Sequence, residues 1–249
     1  VRTELGRDIR KAFRPQSSGW KILAADYSQI ELRLMAQYSK DERLIEAFKN
    51  GEDIHTATAA HVFGTNLFGV SDDQRRRAKV VNFGIMYGAG PFRMSNELEI
   101  SRGEAAELIS DYFNTYPGIR NYLDETIEFA REHKFVQTLF GRKRPVPDID
   151  ASNRMSREGA ERIATNMPIQ GTAADIIKLA MIQVHKRIKA ENLKSKMILQ
   201  VHDELVFEVP DDEIETLTQL VRETMEHAVD LDIPLTVDIG IGDNWLEAH

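Results

Sequence analysis

The chain has 249 residues, with 32 Lys plus Arg against 40 Asp plus Glu, for a formal net charge of −8. It has no cysteine, which excludes a disulfide scaffold and a thiolate metal site and suits a reducing compartment. Hydrophobic residues make up 42%, enough for a packed core; no apolar run approaches the ~18–20 residues of a membrane span, and the acidic average argues against a protein coated in positive charge for nucleic acid.

Val1 rather than Met opens the chain, as expected of a processed start or a piece of a longer protein. Residues 21–25 (Lys-Ile-Leu-Ala-Ala) read as a buried strand with Asp26 at its end. Apolar spacing over 30–48 predicts helix, interrupted near 39–41. Ser101-Arg-Gly-Glu104 is a capping box ahead of the stripe Ala105, Leu108, Ile109, Tyr112 and Phe113. Pro117-Gly118 breaks the chain before a second helix bearing Ile119, Tyr122, Leu123 and Ile127. Residues 135–146 alternate loosely around Gly141-Arg142, as a small hairpin does. Residues 156–166 predict a helix that stops before Pro168, and Thr172 opens another with the stripe Ile177, Met181, Val184 and Ile188. Strands at 197–201 and 205–209 flank His202-Asp203-Glu204 in a tight hairpin. A helix over 211–229 and a strand through Leu235, Val237, Ile239 and Ile241 complete the chain. Strand-bearing ends around a helical middle predict an α+β fold with a helical insertion.

Two groups of residues carry chemistry. An acid at a hairpin tip or strand end is ordinarily a turn residue or a helix cap. Yet Asp26 and the Asp203-Glu204 pair both end apolar strands, and two such ends meeting at one sheet edge would bind a hard divalent cation; Mg²⁺ needs only one or two carboxylates plus substrate phosphates. The second group is the run from Arg75 to Gly88. On a helix Arg75, Lys79, Phe83 and Tyr87 fall at successive i+4 positions, so one face passes from two cations to two aromatics. Cations suit a triphosphate and aromatic faces a base, although such a run is more often a solvated basic patch followed by core aromatics.

These same residues carry a resemblance. Asp26-Tyr-Ser-Gln-Ile-Glu-Leu-Arg33 resembles motif A of family A DNA polymerases, the Arg75–Gly88 run resembles motif B, and Val201-His-Asp-Glu204 resembles motif C; Gln170-Gly-Thr-Ala-Ala-Asp175 is also familial. The resemblance covers essentially the whole chain. It implies an antiparallel-sheet palm (1–41 and 154–249) interrupted by mostly helical fingers (42–153), and a template-directed DNA polymerase that adds deoxynucleotides to a primer 3′-hydroxyl. Asp26, Asp203 and the carbonyl of Tyr27 would hold two Mg²⁺ ions, with Glu204 in support. Arg75, Lys79 and His55 would grip the triphosphate, with Lys79 the proton donor to the leaving group. Phe83 would pack on the incoming nucleotide and Tyr87 guard the templating position, while Glu31 would exclude a ribose 2′-hydroxyl. Gln29, Arg162, Asn166, Gln170 and His202 would line the primer–template minor groove or primer end. The implied partners are primer–template DNA and deoxynucleoside triphosphates, for a monomer in a bacterial cytoplasm, nucleoid-associated and with no membrane attachment. Relatives carry a thumb and further palm sequence upstream, so the chain is expected to be palm and fingers cut free of the rest. Two other readings stand beside this one: a non-catalytic nucleotide- or nucleic-acid-binding fragment lacking the thumb, and a metal phosphohydrolase of the HD type, suggested by His202-Asp203 alone.

Overall fold

A computed structural model describes residues 4–249; the first three residues of the expected palm segment lie outside the described residues. In chain order the elements are α1 (Glu4–Ala12), β1 (Trp20–Tyr27), α2 (Ile30–Ser39), α3 (Glu42–Lys49), α4 (Ile54–Val62), α5 (Asp72–Met86), α6 (Pro91–Leu98), α7 (Arg102–Thr115), α8 (Pro117–His133), β2 (Phe135–Gln137), β3 (Lys143–Pro145), α9 (Arg154–Ala190), β4 (Lys196–Val201), β5 (Glu204–Pro210), α10 (Ile214–Glu226) and β6 (Val237–Gly242). The fold is α+β. Two compact units divide it: unit 1 is Val1–Ile30 with Ala173–His249, and unit 2 is Glu31–Thr172.

Unit 1 is built on an antiparallel sheet of order β4-β5-β1-β6. The unbroken apolar run Ile22–Ala25 fits an interior strand because both its faces are covered, leaving those four residues no more than 4% exposed. Ile22, Ala24 and Val206 pack with Trp245 and Ala248 of the C-terminal tail on one face. On the other, Tyr27 donates its hydroxyl to the Met225 carbonyl of α10 at 2.6 Å. The expected 211–229 helix opens instead as a 3₁₀ turn at Asp211–Glu213, and α10 ends at Glu226.

Unit 2 holds α2 to α8, the β2–β3 hairpin and the first part of α9. Its helices begin where local chemistry directs them. Asp41 and Asp53 cap α3 and α4, and Ser71/Gln74 and Ser101/Glu104 form reciprocal capping boxes on α5 and α7. Pro117 does not simply break the chain; it starts α8, where a missing N–H leaves nothing unsatisfied. Gly141 turns the hairpin at φ +80°.

The helix expected to stop before Pro168 does not stop. α9 runs continuously from Arg154 to Ala190 with Pro168 inside it. An interior proline disfavours a helix by about 3 kcal/mol, and burial around it outweighs that. Ala164, Ile169 and Thr172 are at most 1% exposed, and the Pro168 carbonyl accepts a hydrogen bond from Tyr38 OH at 3.1 Å. Thr172, expected to open a helix, instead lies within one, its hydroxyl 2.7 Å from Tyr38 OH.

Candidate functional site

In unit 1 the carboxylates collect at one end of the sheet. Antiparallel pairing sets Asp26 opposite Glu204 of β5 and opposite Asp238 of β6, so three acids form a row across three strands. The β4–β5 turn closes at the same end. Val201 pairs with Glu204, leaving His202 and Asp203 as a two-residue turn, so Glu204 is a strand residue rather than part of the tip. His202 sits at φ +55° and Gln29, two residues past β1, at φ +54°. Left-handed backbone costs a non-glycine residue roughly 1 kcal/mol, and such strain concentrates at functional sites. The Tyr27 N–H donates to the Asp203 carbonyl at 3.2 Å, tying the turn to the end of β1.

The electrostatics of this row are those of a cation site. Burial, with the charges of Asp203, Glu204 and Asp238, pushes the Asp26 carboxyl up to about 7, against a smaller opposing pull from Arg10. Asp26 Oδ1 is buried and has no hydrogen-bond partner among the described residues. An unsatisfied buried carboxylate oxygen among like charges is what a bound divalent ion would satisfy. Among the described residues no group of three or more His, Cys, Asp or Glu is arranged to enclose a metal.

Two partners hold Glu204, which is 4% exposed. Trp245 Nε1 donates to its Oε1 at 2.7 Å, and His249 Nδ1 lies 3.4 Å from the same oxygen. Trp245→Phe keeps the ring's edge contact with Phe13 (5.4 Å) but removes this donor. It is expected to lower stability by about 1–3 kcal/mol, seen as a drop of several degrees in Tm.

The Asp26 carboxyl also makes a pH-dependent contribution. Its folded value lies above its ordinary 3.8, so between the two the folded chain holds more protons than the unfolded one. The stability this site contributes is therefore full below about pH 4 and lost as pH rises through 7. In metal-free buffer Asp26→Asn is expected to raise stability at pH 8 by about 1–2 kcal/mol, seen as a higher Tm, after allowing for solvent screening of a half-buried group. The gain is expected to disappear near pH 4. A variant less stable than the parent at pH 8 contradicts the charge-cluster account.

In unit 2 the i+4 face of α5 forms as expected. Phe83 and Tyr87 stack at 6.3 Å and 16°, and Tyr87 hydrogen-bonds the Glu31 carboxylate of α2. His55 on α4 lies 5.7 Å from the Phe83 ring, and its Nδ1 is 3.0 Å from Asn82 Nδ2. Burial, then the nearby Lys79 and Arg75, press the His55 ring down to about 4, against an opposing pull from Asp53; it is neutral at pH 7.

The cations of α5 are differently engaged. Asp53, the α4 cap, accepts from Arg75 Nε at 3.2 Å and from Nη2 at 2.6 Å. Desolvation acts upward on the Asp53 carboxyl, but the hydrogen bonds from Arg75 and the Thr56 N–H hold it below its ordinary value. Arg76 and Arg77 pair with Asp73. Lys79 has no ion-pair partner among the described residues. Arg162, Asn166 and Gln170 follow one another at i+4 along α9, with Arg162 and Gln170 exposed. Gly88 ends α5 at φ +71°, where a Cβ would sit 2.9 Å from Arg162 Cγ; glycine permits that approach. A cleft of about 530 Å³ opens beside Gly88, Phe92 and Arg162, but Arg75, Lys79 and His55 are not among its walls.

Sequence reasoning missed Asp53, Asp238 and Trp245. Asp238 had a signal, since it falls between Val237 and Ile239 in the alternating apolar positions of β6. The other two act across 22 and 41 residues of chain, and no local spacing marks them.

Among the described residues no helix is long and apolar enough to cross a membrane. The model of DNA polymerase family A matches residues 1–247. The chain is 53% identical over 247 residues to DNA polymerase I of Caldicellulosiruptor bescii, covering 99% of this chain and 29% of that protein. It is 52% identical over 249 residues to DNA polymerase I of Streptococcus pneumoniae R6, covering 100% and 28%. The chain thus spans under a third of the curated relatives it matches. Among solved structures, the POL domain of Pol1 from M. smegmatis, in complex with DNA primer-template and dNTP, superposes with a TM-score of 0.94 at 46% identity, covering 100% of this chain and 44% of that one. A match of this extent leaves one assignment: the chain belongs to DNA polymerase family A.

Proposed function

We propose that this chain carries the nucleotidyl-transfer centre of a template-directed DNA polymerase, acting on primer–template DNA and deoxynucleoside triphosphates as a monomer in the bacterial cytoplasm, at the nucleoid. The observation that carries the reading is the row Glu204–Asp26–Asp238, closed by the Asp203 turn, with a buried Asp26 oxygen lacking any partner. In this reading residues 1–41 and 154–249 are the palm and 42–153 the fingers. Asp26, Asp203 and the Tyr27 carbonyl would hold two Mg²⁺ ions, and Glu204 would keep the site anionic. When bound, such ions favour the deprotonated primer hydroxyl and neutralise charge on the triphosphate and leaving pyrophosphate.

The chain's own groups do the rest. Arg75, oriented by Asp53, and His55 bind phosphate oxygens, and Lys79 Nζ neutralises and protonates the leaving group. Phe83 stacks on the nucleotide, and Tyr87 holds the Glu31 carboxylate in the space a ribose 2′-hydroxyl needs. Gln29, His202 and the α9 stripe Arg162, Asn166 and Gln170 contact the primer end and minor groove, where acceptors are alike in all correct pairs and geometry is checked without reading sequence. Glu31→Ala is accordingly expected to raise ribonucleotide incorporation by roughly one to two orders of magnitude; unchanged discrimination removes that role.

The test is extension of a recessed primer with Mg²⁺ and dNTPs. Extension that stops on chelation is the expected result. Nucleotide binding without extension at high protein favours the non-catalytic fragment. Phosphatase activity that survives Asp26→Ala favours the HD reading, which the placement of His202-Asp203 on a strand–strand turn already disfavours.

A further inference from the structure

A buried hydrogen-bond chain runs behind the α5 face of unit 2. Tyr116 OH lies 3.1 Å from Thr58 Oγ1, Thr58 donates to Asn82 Oδ1 at 3.2 Å, and Asn82 Nδ2 lies 3.0 Å from His55 Nδ1. None of the four side chains is more than 3% exposed. Counting hydrogens gives the chain a direction. If the Asn82 amide were reversed, its NH₂ would face Thr58, Thr58 would have to donate to the Tyr116 oxygen, and the Tyr116 hydrogen would be buried with no acceptor among the described residues. In the placed orientation both hydroxyl hydrogens have acceptors, Tyr116 giving to Thr58 and Thr58 to Asn82 Oδ1, and one Asn82 amide hydrogen goes to Nδ1 of His55. Nδ1 is then bare, and the single hydrogen of the neutral ring sits on Nε2. Among the described residues Nε2 has no hydrogen-bond partner.

We propose that Tyr116, Thr58 and Asn82 are positioning residues that lock His55 in the neutral Nε2–H tautomer, so that α4 offers the triphosphate a directed hydrogen-bond donor beside the charges of Arg75 and Lys79. The proposal rests on the polymerase reading for its ligand but not for its tautomer. Burial, with Lys79 and Arg75 on α5, holds the ring neutral through the physiological range against the opposing pull of Asp53 at the head of α4.

The test is long-range ¹⁵N–¹H NMR of the ¹⁵N-histidine-labelled 249-residue chain, with His55 assigned through His55→Gln. A protonated Nε2 and bare Nδ1 from pH 6 to 8 are expected. A protonated Nδ1, or two exchanging tautomers, in the parent chain overturns the proposal without need of any variant. Thr58→Val and Asn82→Ala are expected to release His55 into tautomer exchange, and an unchanged ring in folded Asn82→Ala also overturns it. Adding Mg²⁺–dATP should shift the Nε2–H signal, and Thr58→Val should weaken dATP binding about fivefold, the usual effect of one hydrogen bond. If dATP shifts amides around Arg75 and Lys79 but leaves His55 unmoved, the donor role fails while the polymerase reading stands. If nothing shifts, both fail.

Discussion

Asp203→Ala is expected to abolish primer extension, lowering its rate by more than about a thousandfold, while the chain stays folded. Charge stabilisation by a catalytic metal is worth several kcal/mol, and each 1.36 kcal/mol is a factor of ten. The fold should survive because the turn depends on the Asp203 backbone, whose carbonyl accepts from the Tyr27 N–H. The substitution also removes one of the like charges that raise the Asp26 carboxyl, so Tm in metal-free buffer at pH 8 should hold or rise. Primer extension and thermal melting on the same preparation separate the two effects. Near-normal turnover would take the metal away from this edge of the sheet.

Lys79→Ala is expected to lower kcat by roughly 10²–10⁴, the range for a positioned general acid, with a smaller rise in the KM for nucleotide. Its neighbours cannot readily replace it. Arg75 is held by Asp53 and Arg76 and Arg77 by Asp73, whereas Lys79 is without an ion-pair partner among the described residues. Lys79→Arg keeps the charge but presents a guanidinium that does not release a proton, so it should recover nucleotide binding and little of kcat. Single-turnover kinetics across pH check this; a Lys79→Arg enzyme with full kcat would reduce Lys79 to a phosphate contact.

Most of the fold was legible because local chemistry and burial agree. The apolar run before Asp26 is an interior strand, Ser101 and Glu104 do cap α7, and Gly141 turns a hairpin. Pro168 shows where local reading ends: its helix-breaking tendency is real, but its neighbours Ala164 and Ile169 are buried, Tyr38 donates to its carbonyl, and the helix continues. The site divides the same way. A period of four puts Arg75, Lys79, Phe83 and Tyr87 on one face, and two apolar strands that each end in an acid pair so that Asp26 meets Glu204. What pairs with them comes from distant chain: Asp53 on Arg75, Trp245 on Glu204, Asp238 beside Asp26. The net charge of −8 misleads for a related reason, since an average hides both the cations of α5 and the acids that a metal requires.

The most direct measurement is single-nucleotide incorporation on four primer–templates that differ only in the templating base, each offered the four dNTPs one at a time with Mg²⁺. Incorporation of only the complementary nucleotide on each template, lost in both Asp26→Asn and Asp203→Ala, is the predicted result. Incorporation indifferent to the template base, or undiminished in those two variants, would contradict a template-directed polymerase centred on these carboxylates.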